Sequence, residues 1–139
     1  MKNTLMIILI LFIGIQFIPR DNIDASVDIT KEIQAPHEIK AILKRSCYDC
    51  HSHETRFPWY ASIAPVSWMI TNHVEVARKW VNFSVWEDYT AEEKTKKLKE
   101  IFRAVYVAMP LTSYLSMHEE ANMTKEERTL IREWTGVRK

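Results

Sequence analysis

Only two glycines stand in a chain of 139 residues. That scarcity disfavours phosphate-cradling loops and β architectures that need many tight turns. Charge of one sign is also missing: 19 Lys and Arg face 18 Asp and Glu, a formal net charge of +1. No basic stripe interleaved with aromatics occurs, so nothing points to nucleic acid as a partner. Cysteine is nearly absent too, with two in the whole chain, too few for a zinc site built mainly from thiolates. What remains is a chain one small domain long, 47 % hydrophobic, with five Trp and a composition that leans helical.

Both cysteines fall in one stretch, Cys47-Tyr48-Asp49-Cys50-His51. The pattern C-x-x-C-H is the c-type haem attachment signature. Two thiols three positions apart can add to the two vinyl groups on one edge of a haem, and the histidine that follows is placed to ligate the iron from the proximal side. A redox dithiol would need a preceding strand in a βαβ pattern, and none is found. A zinc module, the third reading, would need an unusual set completed from His51, His53 or His73.

Compartment is read from the N-terminus. A short positive start, Met1-Lys2-Asn3, precedes an apolar run from Thr4 to Ile18, which Pro19-Arg20-Asp21 ends. Such a segment directs a chain into export. No A-x-A-like cleavage pattern is present around Phe17, so residues 1–19 read as a signal or anchor segment, an uncleaved anchor being favoured over a cleaved signal peptide, with residues 4–18 in the inner membrane and the domain on the periplasmic face. The apolar run of about 15 residues sits at the lower end of the range for a spanning helix. Haem is attached covalently in that exported compartment, so the two features support each other.

Residues 20–35 lack a firm period and read as a linker. Residues 36–139 read as an all-α, c-type cytochrome-like domain of about four short helices. Pro36 opens the first, and Ile39, Ile42 and Leu43 form its stripe leading into the cysteine motif. The segment His51 to Tyr60 is polar and aromatic with a Pro, hence a loop over the cofactor edge. A second helix runs from Ser62 to about Trp80. Thr90 with Glu93 and Thr124 with Glu127 are capping boxes that start the third and fourth helices. Pro110 stops the third at about Met109, and Gly136 terminates the fourth.

The position opposite His51 on the iron decides what the metal can do. Candidates are Met69, His73, Met109, Met117 and His118, with His37 and His53 less suited. His53 is two residues from His51 and cannot reach the other face of the same ring. Met109 is the choice, because it ends a helix at the rim of an apolar stripe and Pro110 fixes the backbone as it leaves. Its competing reading is ordinary core filler, since the chain has six Met.

From about Ile39 to Trp134 the chain resembles the small haem-binding domain family of exported bacterial proteins. The resemblance lies in Ser46 to Ser52, Pro58-Trp59-Tyr60, Ala64-Pro65-Val66-Ser67-Trp68, Asn82-Phe83-Ser84 with Trp86, Met109-Pro110-Leu111 with Tyr114 and His118, and the Glu127 to Trp134 helix. It implies one covalent haem c, and its Met-Pro pair resembles the distal-ligand segment of small c-type cytochromes. The expected activity is one-electron transfer to redox partners that the sequence does not name, rather than catalysis. Cys47 and Cys50 would tether the ring, His51 and Met109 would ligate the iron, and Trp68, Phe102 and Trp134 would exclude water. Arg56, Trp59 and Tyr60 are candidate donors to the haem propionates. A haem sensor or peroxidase-like module is the alternative. It needs an open sixth position and a distal acid/base group, for which Arg56, His53 or His73 would have to serve.

Overall fold

The computed structural model describes residues 1–23 and 26–137. Among the described residues there are seven α-helices and no strand. They are α1 (Lys2–Ile15), α2 (His37–Ser46), α3 (Tyr48–His51), α4 (Val66–Trp80), α5 (Ala91–Val107), α6 (Thr112–Leu115) and α7 (Lys125–Trp134). 3-10 segments occupy Trp59–Ser62, Phe83–Asp88, which is kinked at Val85, and Glu119–Ala121. The all-α class is therefore as expected. The count of about four helices needs correction: α2, α4, α5 and α7 match it, and α3 and α6 are added. Each of those two has four residues, too few to display a 3.6-residue period in sequence.

The local chemistry explains the helix ends. Thr90 accepts from the Glu93 amide while the Glu93 carboxylate accepts from the Thr90 amide, and Thr124 with Glu127 repeats the arrangement. Each box satisfies two donors that a helix start would leave unpaired. Beyond α7, Gly136 takes φ +67, the left-handed conformation that a residue without a Cβ adopts most readily. Helix α5 ends at Val107, two residues before Met109, whose amide reaches back to the Ala104 carbonyl at 2.9 Å.

The core gathers Ile39, Ile42 and Leu43 of α2, Tyr48 of α3, Val81, Phe83 and Trp86 after α4, Ile101 and Val105 of α5, and Ile131 of α7. The stretch expected to be a linker contributes to it. Ile33 is 1 % exposed, and its amide donates to the Phe83 carbonyl at 2.8 Å. Beside it the Glu32 carboxylate accepts from the Tyr48 hydroxyl at 2.8 Å and pairs with Lys40 at 2.8 Å. Burying one such Ile contributes ~1.5–3 kcal/mol.

No residue of α1 is buried. Its 14 residues rise roughly 21 Å at 1.5 Å each, against a hydrocarbon core of about 30 Å. No helix among the described residues is long and apolar enough to cross a membrane. The end of this segment is nonetheless bound to the domain. The Gln16 side-chain amide donates to the Ala64 carbonyl at 3.1 Å and accepts from the Ala64 amide at 3.0 Å. The Trp68 indole donates to the Ile18 carbonyl, Arg20 stacks over Phe57, and Arg78 donates to the Ile23 carbonyl.

Truncating Ile131, 1 % exposed, tests the core directly. Ile131→Ala should cost ~2–5 kcal/mol and Thr124→Ala about 1 kcal/mol, read as shifts in urea midpoint at constant m-value.

Candidate functional site

Helix α3 carries the cysteine motif and is the meeting point of the fold. It packs on α2, on α4 and on the Phe83–Asp88 segment, while α5 packs on α7. Tyr48 stacks on Phe83 with ring centroids 5.4 Å apart, which holds the first half of the motif against the core. The motif therefore sits at the corner between α2 and α3, the end of the first helix, where the sequence places it.

His51 is held from behind. Its Nδ1 lies 3.1 Å from the Ala77 carbonyl and 3.0 Å from the Val81 carbonyl. A carbonyl only accepts, so Nδ1 carries the proton and donates, and Nε2 is left as the unprotonated nitrogen. Burial pushes the imidazole below the usual histidine range and outweighs the two carbonyls, which act the other way. A neutral ring with its tautomer fixed by a backbone carbonyl is the arrangement that metal-ligating histidines use. The carbonyls come from the end of α4: Ala77 lies in its last turn and also accepts from the Val81 amide at 3.0 Å, and Val81 stands just beyond the helix.

Cys47 and Cys50 are both free thiols. Burial, with the neighbouring Cys50 adding to it, pushes Cys47 up to about 12. Burial and then Asp49 push Cys50 to about 11. Both therefore stay protonated near neutrality.

Met109 lies half-buried just beyond α5. Its carbonyl accepts from the Arg128 guanidinium at 2.7 Å, and the same nitrogen donates to the Val105 carbonyl. The Arg45 and Arg128 charges act to lower Cys47, too weakly to offset its burial.

The other candidate ligands differ in their surroundings. The Nε2 of His53 accepts from the Asn82 side-chain amide at 2.8 Å. The Nε2 of His118 pairs with the Tyr60 hydroxyl at 2.8 Å. Met69 and Met117 are exposed, as are His73 on α4 and His37 at the start of α2. Of the residues considered for the haem edge, Arg56 is joined to Asp49 at 3.2 Å and Trp59 stands exposed. Trp68, Phe102 and Trp134 are half-buried; Trp134 packs on the core and Phe102 lies under Arg132. Among the described residues no three His, Cys, Asp or Glu side chains converge as a metal cluster.

Several contributors are absent from the sequence reading. The carbonyls of Ala77 and Val81 carry no side-chain signature, and only the packing of α3 on α4 reveals them. Asp49, within the motif, accepts from Arg56 on one oxygen and from the Tyr114 hydroxyl on the other at 2.7 Å. Arg128 was readable only as one charged residue on a capped helix.

A family model described as a haem-binding domain matches residues 10–136. It starts within α1 and takes in the stretch around Ile33, so it covers more of the chain than the segment from Ile39 to Trp134. No curated protein and no solved structure matches.

The buried ring and thiols contribute to the pH dependence of the haem-free chain, beside carboxylates such as Glu32 that are held below their usual range. A histidine lowered in the folded state costs stability as pH falls below ~6.5, where the unfolded ring takes a proton that the folded ring does not. Thiols raised in the folded state cost stability as pH rises above ~8.5, where the unfolded thiols ionise first. In urea titrations of the haem-free chain across pH, His51→Gln should flatten the acid limb and Cys47→Ala with Cys50→Ala the alkaline limb.

Proposed function

We propose, from the premise that this chain belongs to the haem-binding domain family, that it holds one haem c covalently and carries single electrons in the exported compartment. The observation that carries this reading is the His51 imidazole, whose Nδ1 is engaged by two backbone carbonyls so that Nε2 is the nitrogen offered to iron. Two free thiols lie in the same turn, so the donor set fits a tethered haem. Each S–H would add across one vinyl group, a step with no leaving group. Bound haem supplies an iron that changes oxidation state by one electron.

The chain's own residues define the rest of the role. Cys47 and Cys50 would tether the haem, and His51 and Met109 would hold its iron, a His and Met pair that favours electron transfer. The engagement of His53 by Asn82 and of Arg56 by Asp49 occupies two of the three residues that a sensor or peroxidase-like site would call on as a distal acid/base group, and the third, His73, stands exposed on α4. The apolar residues 4–18 serve export and hold the domain at the periplasmic face of the inner membrane. A helix somewhat shorter than the bilayer core is accommodated by local thinning, at a fraction of a kcal/mol per Å.

Protein produced in an exporting host should retain haem stain after denaturing electrophoresis, and Cys47→Ala with Cys50→Ala should abolish it. The ferric wild type should show the weak red-end absorption of a Met–iron bond, lost in Met109→Ala and kept in His73→Ala. Rapid carbon monoxide binding by the reduced wild type would sink the electron-carrier assignment.

A further inference from the structure

The segment that follows Met109 does not return directly to the core. It runs through α6 and is fastened to the haem motif. Tyr114, on α6, donates its hydroxyl to Asp49 at 2.7 Å, and Asp49 stands between the two cysteines. Four residues on, His118 stacks on Tyr114 with ring centroids 4.3 Å apart and an interplanar angle of 15°. His118 also pairs with the Tyr60 hydroxyl at 2.8 Å and with Glu120 at 3.2 Å. Arg56 occupies the other Asp49 oxygen, donating through its backbone amide and its Nε, each at 3.2 Å. The chain from Met109 to Glu120 is thus strapped at two points to the stretch from Asp49 to Tyr60. At its start, Arg128 holds the Met109 carbonyl.

We infer that Tyr114 is a positioning residue for the distal ligand: its hydrogen bond to Asp49 fixes the Met109 segment against the helix that bears the proximal ligand. The inference rests on Met109 being the sixth ligand. A Met thioether is a neutral and comparatively weak donor on a flexible side chain, so its hold on iron depends on how far its backbone can stray. Arg128 restrains that backbone on one side of Met109, and the Tyr114 strap restrains it on the other. The Asp49 carboxylate makes the strap a charge-assisted hydrogen bond, shorter and stronger than a neutral one. The placement of Asp49 inside the motif ties both axial ligands to one short helix. Burial and the carboxylate both push the Tyr114 phenol above its usual value, so the donor stays protonated across the physiological range.

Tyr114→Phe removes the hydroxyl and keeps the ring that stacks on His118. In the full-length holoprotein, Tyr114→Phe should keep the covalent haem stain while weakening the ferric Met–iron absorption. It should speed carbon monoxide binding to the reduced protein about tenfold, equivalent to ~1.4 kcal/mol. Amide exchange over residues 112–117 should accelerate several-fold. Asp49→Ala, which also releases Arg56, should do at least as much, and adding Tyr114→Phe to Asp49→Ala should change nothing further, as expected when Tyr114 acts through Asp49. A Tyr114→Phe protein with wild-type absorption and carbon monoxide rate, beside a Met109→Ala protein that has lost the band, overturns the strap and leaves the ligand in place. A Met109→Ala protein that keeps the band overturns the ligand assignment and the inference with it. Fully additive Tyr114 and Asp49 effects also overturn it, because the two would then act separately.

Discussion

The fold turns on a histidine whose inner nitrogen is committed to backbone carbonyls. By donating to Ala77 and Val81, His51 joins the cysteine motif to the end of α4 and settles which nitrogen faces outward. A buried imidazole without that partner would face a desolvation cost with nothing to offset it. A solvent-exposed one would sample both tautomers and many ring orientations. The same bonds lay the motif against the end of α4, where the Ala77 carbonyl also closes the helix by accepting from the Val81 amide at 3.0 Å. Ligand orientation and helix termination are thus one contact described from two ends.

The remaining architecture keeps that contact in place. Tyr48 stacks on Phe83 and reaches Glu32, while Ile33 closes over the same region through the Phe83 carbonyl. Side chains from α2, α5 and α7 complete the hydrophobic core beneath the motif. The Glu32 carboxylate shows how such a group is tolerated in a mostly buried position. Burial raises its pKa, and the Lys40 and Tyr48 hydrogen bonds reverse that effect and hold it below the usual range. At Glu32 a charge enters the core where donors are already waiting for it.

Much of this could be read from the residues because the information is local. The two capping boxes and the stop after Trp134 depend on side chains within four positions of one another and appear where expected, while α5 breaks at Val107, two residues ahead of the boundary at Met109 that Pro110 implies. The motif at the α2–α3 corner was legible for the same reason. Helices α3 and α6 were not, since a single turn has no period to detect. Nor was the part played by Glu32 and Ile33, because their partners lie 16 and 50 residues away. Asp49 and Tyr114 are 65 residues apart, and a hydrogen bond over that separation leaves no pattern in one sequence. Tyr114 and His118 do stand four apart, on the Met-Pro segment that carries the family resemblance, and that spacing was the one visible trace of their stacking.

The two-sided grip of the Gln16 amide on Ala64 bears on how the whole molecule meets its surroundings. A hydrophobic helix joined to a domain through slack chain leaves that domain free to tumble over a wide cone, presenting every face in turn. Here contacts from Gln16, Ile18, Arg20 and Ile23 shorten the slack to almost nothing. Whatever holds α1 therefore also holds the domain's bearing. A partner confined to the same surface would meet a narrow range of approach angles, with less orientational search to complete in each encounter.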